Sequence, residues 1–172
     1  MQVKKLHPDA KLPLLAHEDD AGYDIAVIDD GTLELVQIKE KMWRVKYLEY
    51  RTGLAIAVPE GFHIEIVARS SVSKSDLILA NCLAIGDNGY RNEYKLRFRV
   101  LPLCDKEFNA DTKEIAIEEC KQFLVHRNIS LFKAGDRAAQ LLIRRTIHSP
   151  VEEVDDLDTT ERNMGGFGST GS

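Results

Sequence analysis

Asp87 stands directly ahead of an Asn88-Gly89 pair and three residues ahead of Tyr90, so a carboxylate, a turn and a flat ring fall within four positions. A carboxylate facing a closed pocket can take a proton from water, and the ring can form one wall of that pocket. The ordinary use of Asp at such a corner is to serve the turn by accepting a nearby N–H. Arg69-Ser70-Ser71 follows the apolar run Phe62 to Val67 and offers a guanidinium fork and hydroxyls suited to phosphate oxygens. Gly135-Asp136-Arg137 enters a second apolar run, where Asp136 could orient an Arg and the Gln140 amide would be semi-buried and in need of partners. Asp20-Ala21-Gly22-Tyr23-Asp24 ends on a carboxylate at the start of another strand candidate, where a lone acid is most often a solvated charge. Last, Gly165 to Ser172 interleaves glycines with Ser169 and Thr170 around Phe167. Such a backbone can wrap N–H groups around phosphates, and the ring can stack on a base. On composition alone the same tract reads as a linker, and with no Lys after its glycines it is not a Walker loop.

The elements that must position these groups read as short strands. Lys95 to Val100 alternates charge and hydrophobe, which puts Leu96, Phe98 and Val100 on one buried face. Leu54 to Val58, the breaker Pro59-Glu60-Gly61 and Phe62 to Val67 read as two strands joined by a tight turn. Further candidates are Gln2 to Leu6, Tyr23 to Val27, Leu33 to Ile38, Trp43 to Tyr47, Ala138 to Ile147 and Val151 to Val154. Asn88-Gly89, lying between Leu83-Ala84-Ile85 and the Leu96 strand, predicts a β-hairpin centred near Asn88. The one helical candidate is Thr112 to Phe123, with Ile115, Ile117, Cys120 and Phe123 as its apolar positions. Many short, closely spaced strands predict an all-β sandwich or barrel.

Composition narrows the function. A chain of 172 residues with 44% apolar and 30% charged residues fits one globular domain. Its net charge of −5 argues against coating nucleic acid through a basic surface. A polyanion must then be met by a few placed Arg, by backbone N–H groups or by a metal. Cys82, Cys104 and Cys120 match no zinc or C-x-x-C spacing, and the five histidines make no ligand pair, so a preformed zinc site is not expected. No apolar run approaches a membrane span and no cleavable leader is visible, so a reducing, cytoplasmic setting is expected.

In order, spacing and content the five stretches resemble the five motifs of the homotrimeric dUTPase family. Asp20 to Asp24 looks like the first motif, Arg69-Ser70-Ser71 the second, Asn81 to Glu93 the third, Gly135 to Ile143 the fourth and Arg162 to Gly171 the fifth. The resemblance implies a jelly-roll-like all-β core over residues 1–161, with active sites shared among three subunits, and a flexible Gly-rich arm over 162–172. It implies Mg²⁺-dependent hydrolysis of dUTP to dUMP and pyrophosphate, with Asp87 as the general base for water attack on the α-phosphorus. Asp24 would sit near metal-bound waters, and Arg69, Ser70, Ser71 and Gln140 would contact the triphosphate. Asn81 and main chain around Gly89 would read uracil, while Tyr90 would pack on the deoxyribose and exclude a ribose. From the arm, Phe167 would stack on uracil, and Arg162, Gly168, Ser169 and Thr170 would close on the substrate. Partners are then dUTP and two further copies of the chain, with no nucleic acid and no membrane.

Gly86, Asn92 and Asn163 depart from the family pattern, and the interval from Tyr90 to Gly135 is long enough to hold an insertion over about 104–126. A surface loop, a small β-arm and a docking site for a partner protein are all open for that insertion. Two other functions remain in view: dCTP deaminase, a relative on the same fold that relies on a hairpin Glu where this chain has Asp87, and a dUTPase scaffold that also acts as a regulatory binding module.

Overall fold

Residues 1–161 and residue 163 are described by the computed structural model. Among them the chain forms β1 (Gln2–Lys5), β2 (Tyr23–Ala26), β3 (Thr32–Lys39), β4 (Met42–Arg51), β5 (Leu54–Ala57), β6 (Phe62–Ala68), β7 (Leu77–Leu79), β8 (Leu83–Gly86), β9 (Lys95–Val100), β10 (Glu107–Asn109), α1 (Lys113–His126) and β11 (Arg137–Arg145). One sheet runs β2-β11-β6-β8. A second runs β10-β4-β9-β7 with β3 on the other edge of β4, and β1 pairs β5 separately. All these pairings are antiparallel. The apolar faces of the sheets meet in one core: Leu96, Phe98 and Val100 from β9 join Ile64 and Ile66 from β6 and Leu141 from β11. Along β4 the buried positions step from Val45 to Leu48 and Tyr50. The break in alternation falls where Glu34 faces Tyr47 but Leu35 faces Val45, so Lys46 is a bulge residue that returns the strand's apolar side to the core.

The all-β expectation holds, but two local pairings do not. The Pro59-Glu60-Gly61 corner is a turn, with Phe62 N–H donating to the Pro59 carbonyl at 3.2 Å and Gly61 at φ +77°. Its two strands nevertheless part, β5 joining β1 while β6 lies between β11 and β8. The hairpin expected at Asn88 is likewise a turn without a hairpin. Tyr90 N–H donates to the Asp87 carbonyl at 3.0 Å, yet β8 belongs to the β6 sheet and β9 to the β4 sheet. Gly89 is not among the positive-φ glycines, so the corner is not the turn that Asn-Gly hairpins use. The Asn88 amide is engaged elsewhere, donating to the carbonyls of Val58, Pro59 and Phe62 at 3.0, 2.7 and 3.3 Å. It brackets one sheet-changing corner against the other. Val151 to Val154, expected as a strand, is exposed and forms none.

The helical candidate is a helix, and of its four expected apolar positions Ile117, Cys120 and Phe123 pack on the core while Ile115 does not. Thr112 Oγ1 accepts from Ile115 N–H at 3.3 Å as the N-cap, and the buried line is Ala116, Cys120 and Leu124, spaced i, i+4, i+8, while Ile115 is exposed. The expected insertion is no surface appendage: β10 pairs β4, and Leu103, Phe108, Ala110, Ala116, Cys120 and Leu124 belong to the main core. Burial pushes the Cys120 thiol up to about 12, whereas Cys82 is exposed. Because the thiolate is the reactive species, iodoacetamide is expected to label Cys82 in the native protein and to reach Cys120 only on unfolding. Peptide mass mapping checks this, and native labelling at Cys120 would show that α1 undocks. Among the described residues no helix is long and apolar enough to cross a membrane.

Candidate active site

Asp24 enters on β2 directly opposite Gln140 of β11, in a sheet where a carboxylate has no water to lean on. It is 4% exposed, and its charge is met by two guanidinium groups. Arg69, just past β6, donates from Nε to Oδ1 at 2.8 Å and from Nη2 to Oδ2 at 3.3 Å. Arg137, at the start of β11, donates from Nη1 to Oδ2 at 3.0 Å. Arg69 Nη1 also reaches the Arg137 carbonyl at 3.2 Å, so most of its fork is fixed. A bulge between Arg137 and Ala139 shifts the β11 register beside this pair. Next to it lies a polar cavity of about 400 Å³ lined by Arg69, Ser71, Lys74, Ser75, Asp136 and Arg137 among others. Ser70 is exposed at the start of the short turn of helix Ser70–Lys74, and its carbonyl accepts from Ser73 Oγ at 2.6 Å. These groups suit an anion of several phosphates. Asp24→Asn keeps the shape but leaves two guanidinium groups short of a charge partner. It is expected to lower unfolding free energy by about 3 kcal/mol, the low end for a broken buried pair because the Arg137 side chain is half exposed. Urea unfolding checks this, and an unchanged midpoint would show that the pair does not anchor the arginines.

Asp87 lies at another corner. It is exposed and lines a cavity of about 630 Å³ with Phe62, His63, Ile85, Asn88 and Thr146 among others. The triple Asn88 bracket fixes the backbone at its side. Tyr90 packs edge-on against Tyr94, with ring centroids 5.0 Å apart, and its hydroxyl donates to the Glu93 carbonyl at 3.0 Å. Arg91 Nη1 donates to the carbonyls of Asn88 and Tyr90. Asn81 lies at the far end of β8, exposed. Beside it Cys82 holds a left-handed φ of 54° while Leu83 N–H closes onto the Asn81 carbonyl at 2.5 Å.

The two clusters sit at diagonally opposite corners of one sheet. Gly86 pairs with Ile64 and Leu83 with Val67, so Asp87 leaves β8 at the Phe62 end of β6 while Arg69 leaves β6 at the other end. Six residues of strand separate those levels, roughly 20 Å at about 3.3 Å per residue, and three strand spacings of about 4.8 Å separate β8 from β2. Asp24, Arg69, Ser70, Ser71 and Gln140 are thus gathered within one chain, and Asp87, Gly89 and Tyr90 likewise, but the groups do not meet. Arg162, Phe167, Gly168, Ser169 and Thr170 lie outside the described residues. Arg137 was missed by sequence reasoning, although a cation opening the strand that faces Asp24 was its available signal. Among the described residues no three His, Cys, Asp or Glu side chains gather to hold a metal.

Comparison with known proteins converges on one family. The dUTPase family model matches residues 122–171. The deoxyuridine 5'-triphosphate nucleotidohydrolase of Leptospira interrogans (Fiocruz L1-130) is 35% identical, the match covering 98% of this chain and 97% of the relative. That of Thermobifida fusca is 32% identical, covering 99% and 78%. A mutant dUTPase of Staphylococcus bacteriophage 80alpha, solved with dUpNHpp, superposes with a TM-score of 0.65 at 21% identity over 99% of this chain and 98% of that one. The same phage's dUTPase is described as controlling transfer of virulence genes by a G protein-like mechanism. A mutant dUTPase of phage phi11 of S. aureus, with a structural Mg(II) ion, superposes at a TM-score of 0.63 and 19% identity over 92% and 98%.

Proposed function

Since the chain belongs to the dUTPase family and is with it a dUTP diphosphatase, we propose that it cleaves dUTP by water attack on the α-phosphorus, with Asp87 as the base, at sites shared between subunits of a homotrimer. The observation that carries the shared-site reading is the separation of Asp87 from Arg69, at opposite ends of the adjacent strands β8 and β6, which favours a triphosphate held between two chains over one held within a single chain. The segment after β11 supports the same reading. Ile147, Val151 and Leu157 are 83%, 101% and 86% exposed along it, apolar side chains that a neighbouring copy would cover.

At such a site Asp87 from one subunit takes the proton of the attacking water as its oxygen bonds to the α-phosphorus. The bond to the bridging oxygen breaks, and pyrophosphate leaves. Arg69, Ser70, Ser71 and Gln140 of another subunit hold the phosphates, with Arg137 beside them. The main chain around Gly89 reads the uracil edge and Tyr90 occupies the space a 2′-hydroxyl would need, while Asn81, at the other end of β8, is proposed to reach a base from the end of the sheet where Arg69 lies. Among the described residues no set of side chains would hold a metal by itself, so magnesium would enter on the phosphates and would supply charge neutralisation there. Asp24 is a single buried carboxylate with both oxygens already taken by guanidinium donors, so it would hold such an ion through water at most, and its own part is to orient Arg69 and Arg137. Arg162, Phe167, Gly168, Ser169 and Thr170 are proposed to cover the substrate, so a chain ending at Glu161 is expected to keep its thermal midpoint and lose most dUTP turnover. Retained turnover would remove the arm from the site.

Pyrophosphate release measured across dUTP, dTTP, dCTP and UTP tests the substrate reading, with dUTP strongly favoured. Ammonia from dCTP would instead support the deaminase. Three free thiols, one exposed, suit a reducing cytoplasm. A second role in protein binding through the 104–126 segment is favoured by Val125, 80% exposed on α1. Deleting that segment would open the core, so charged substitutions at Ile115 and Val125 are the proper test of partner capture.

A further inference from the structure

We propose that Tyr94 is a positioning residue for sugar selection: wedged over Gly86, it fixes the ring plane of Tyr90 and the path of the Asp87 turn. This rests on the reading of Tyr90 above and assigns a role to a residue that none of the five motifs explains. Tyr94 is buried, and its ring occupies the place a side chain at position 86 would take: a Cβ on Gly86 would stand 2.5 Å from the Tyr94 hydroxyl and 2.7 Å from Cε1. Glycine is thus required by this ring rather than by backbone conformation. The other face of the wedge is Tyr90, edge-on at 78° and 5.0 Å.

Tyr94 is itself held at every polar backbone atom. Its N–H donates to the Leu54 carbonyl at 2.9 Å, and its carbonyl accepts from the fully buried Thr52 hydroxyl at 2.5 Å. The preceding Glu93 carboxylate accepts from Gly53 N–H at 2.8 Å and from Arg51 Nε at 3.2 Å. A rigid ring therefore bears on a ring that is otherwise 42% exposed and tied by one hydroxyl. The Tyr94 hydroxyl is buried without a hydrogen-bond partner, so it contributes shape and no bond. Burial accordingly pushes its ionisation up.

Two substitutions separate shape from fold. Tyr94→Phe keeps the wedge and removes only the unpartnered hydroxyl, so the ratio of kcat/KM for dUTP over UTP is expected to stay at the wild-type value. Tyr94→Val removes the wedge, and the ratio is expected to fall by at least about tenfold, through a rise in UTP turnover and in KM for dUTP more than a loss of kcat. A merely structural role would lower both substrates together and leave the ratio unchanged, and that result overturns the inference. Should Tyr94→Val not fold, Gly86→Ala displaces the same ring from below and is expected to lower the ratio too. NMR of ¹³C-labelled tyrosine gives a readout independent of substrate: the Tyr90 ring signals are expected to move in Tyr94→Val and not in Tyr94→Phe. Moved signals in an enzyme with no dUTP preference at the outset would fault the role of Tyr90, whereas unmoved signals would fault Tyr94.

Discussion

Asp87→Asn is expected to bind dUTP with near wild-type affinity and to turn it over at least about a hundredfold more slowly. The exchange is clean for a structural reason. The turn at this corner is closed by the Asp87 carbonyl, which accepts from Tyr90 N–H, and the backbone beside it is set by the Asn88 amide. Among the described residues the Asp87 carboxylate makes no hydrogen bond or ion pair that an amide would lose. What asparagine removes is the capacity to accept and hold the proton of the attacking water. Calorimetric binding of a non-hydrolysable dUTP analogue, alongside turnover, separates chemistry from fold. Turnover near the wild-type rate would end Asp87's candidacy as the base and move the search to another carboxylate at the site.

The second large effect is complementation. On the proposed mechanism, the Asp87→Asn and Arg69→Ala proteins are each expected to be nearly inactive, the first lacking the proposed base and the second the proposed phosphate fork. Refolded together as an equimolar mixture, they should regain activity. If each site takes Asp87 from one subunit and Arg69 from another, about one quarter of the sites in a random mixture receive both native residues. Sites built within a single chain would receive both in none, so a mixture as inactive as its parents refutes sharing. Light scattering on the same samples is expected to give three times the chain mass. Arg69→Ala also leaves Asp24 with Arg137 as its only described cation, so its thermal midpoint must be read before its activity is interpreted.

Sequence pattern revealed residues better than it revealed pairings. The alternation of Lys95 to Val100 specified a face, and that face is buried, because a strand's period of two depends on nothing beyond the strand. The Asn88-Gly89 and Pro59-Gly61 corners were legible as turns, but which sheet each flanking strand joins is decided by partners far along the chain. The anchoring of Asn88 onto Val58, Pro59 and Phe62 leaves no local trace. The helix was legible only because Thr112 to Phe123 lacks the alternation of a strand. Its inward face was legible in part: Ile117, Cys120 and Phe123 pack inward as expected, whereas Ala116 is too small to stand out, Leu124 lies past the expected end and Ile115 is exposed. Asp24 was found as a chemically suggestive acid, but its tie to Arg69 and Arg137 joins three distant segments. Gly86 stood out as a departure, and only the fold shows Tyr94 filling the space it leaves.

The Asn88 bracket also bears on how the protein ages. An asparagine followed by glycine is the sequence most prone to lose its amide, because the next backbone nitrogen can attack the side-chain carbonyl when the two swing together. Here the amide nitrogen is held by three carbonyls, which keeps the side chain turned to Val58, Pro59 and Phe62. Once the ammonia is lost, those same carbonyls face a negative oxygen where a donor had been, and the corner that joined two sheets is pushed apart beside Asp87. Storage lifetime and catalytic geometry thus depend on the same three contacts, and decay of activity in stored protein should run in step with the gain of one negative charge.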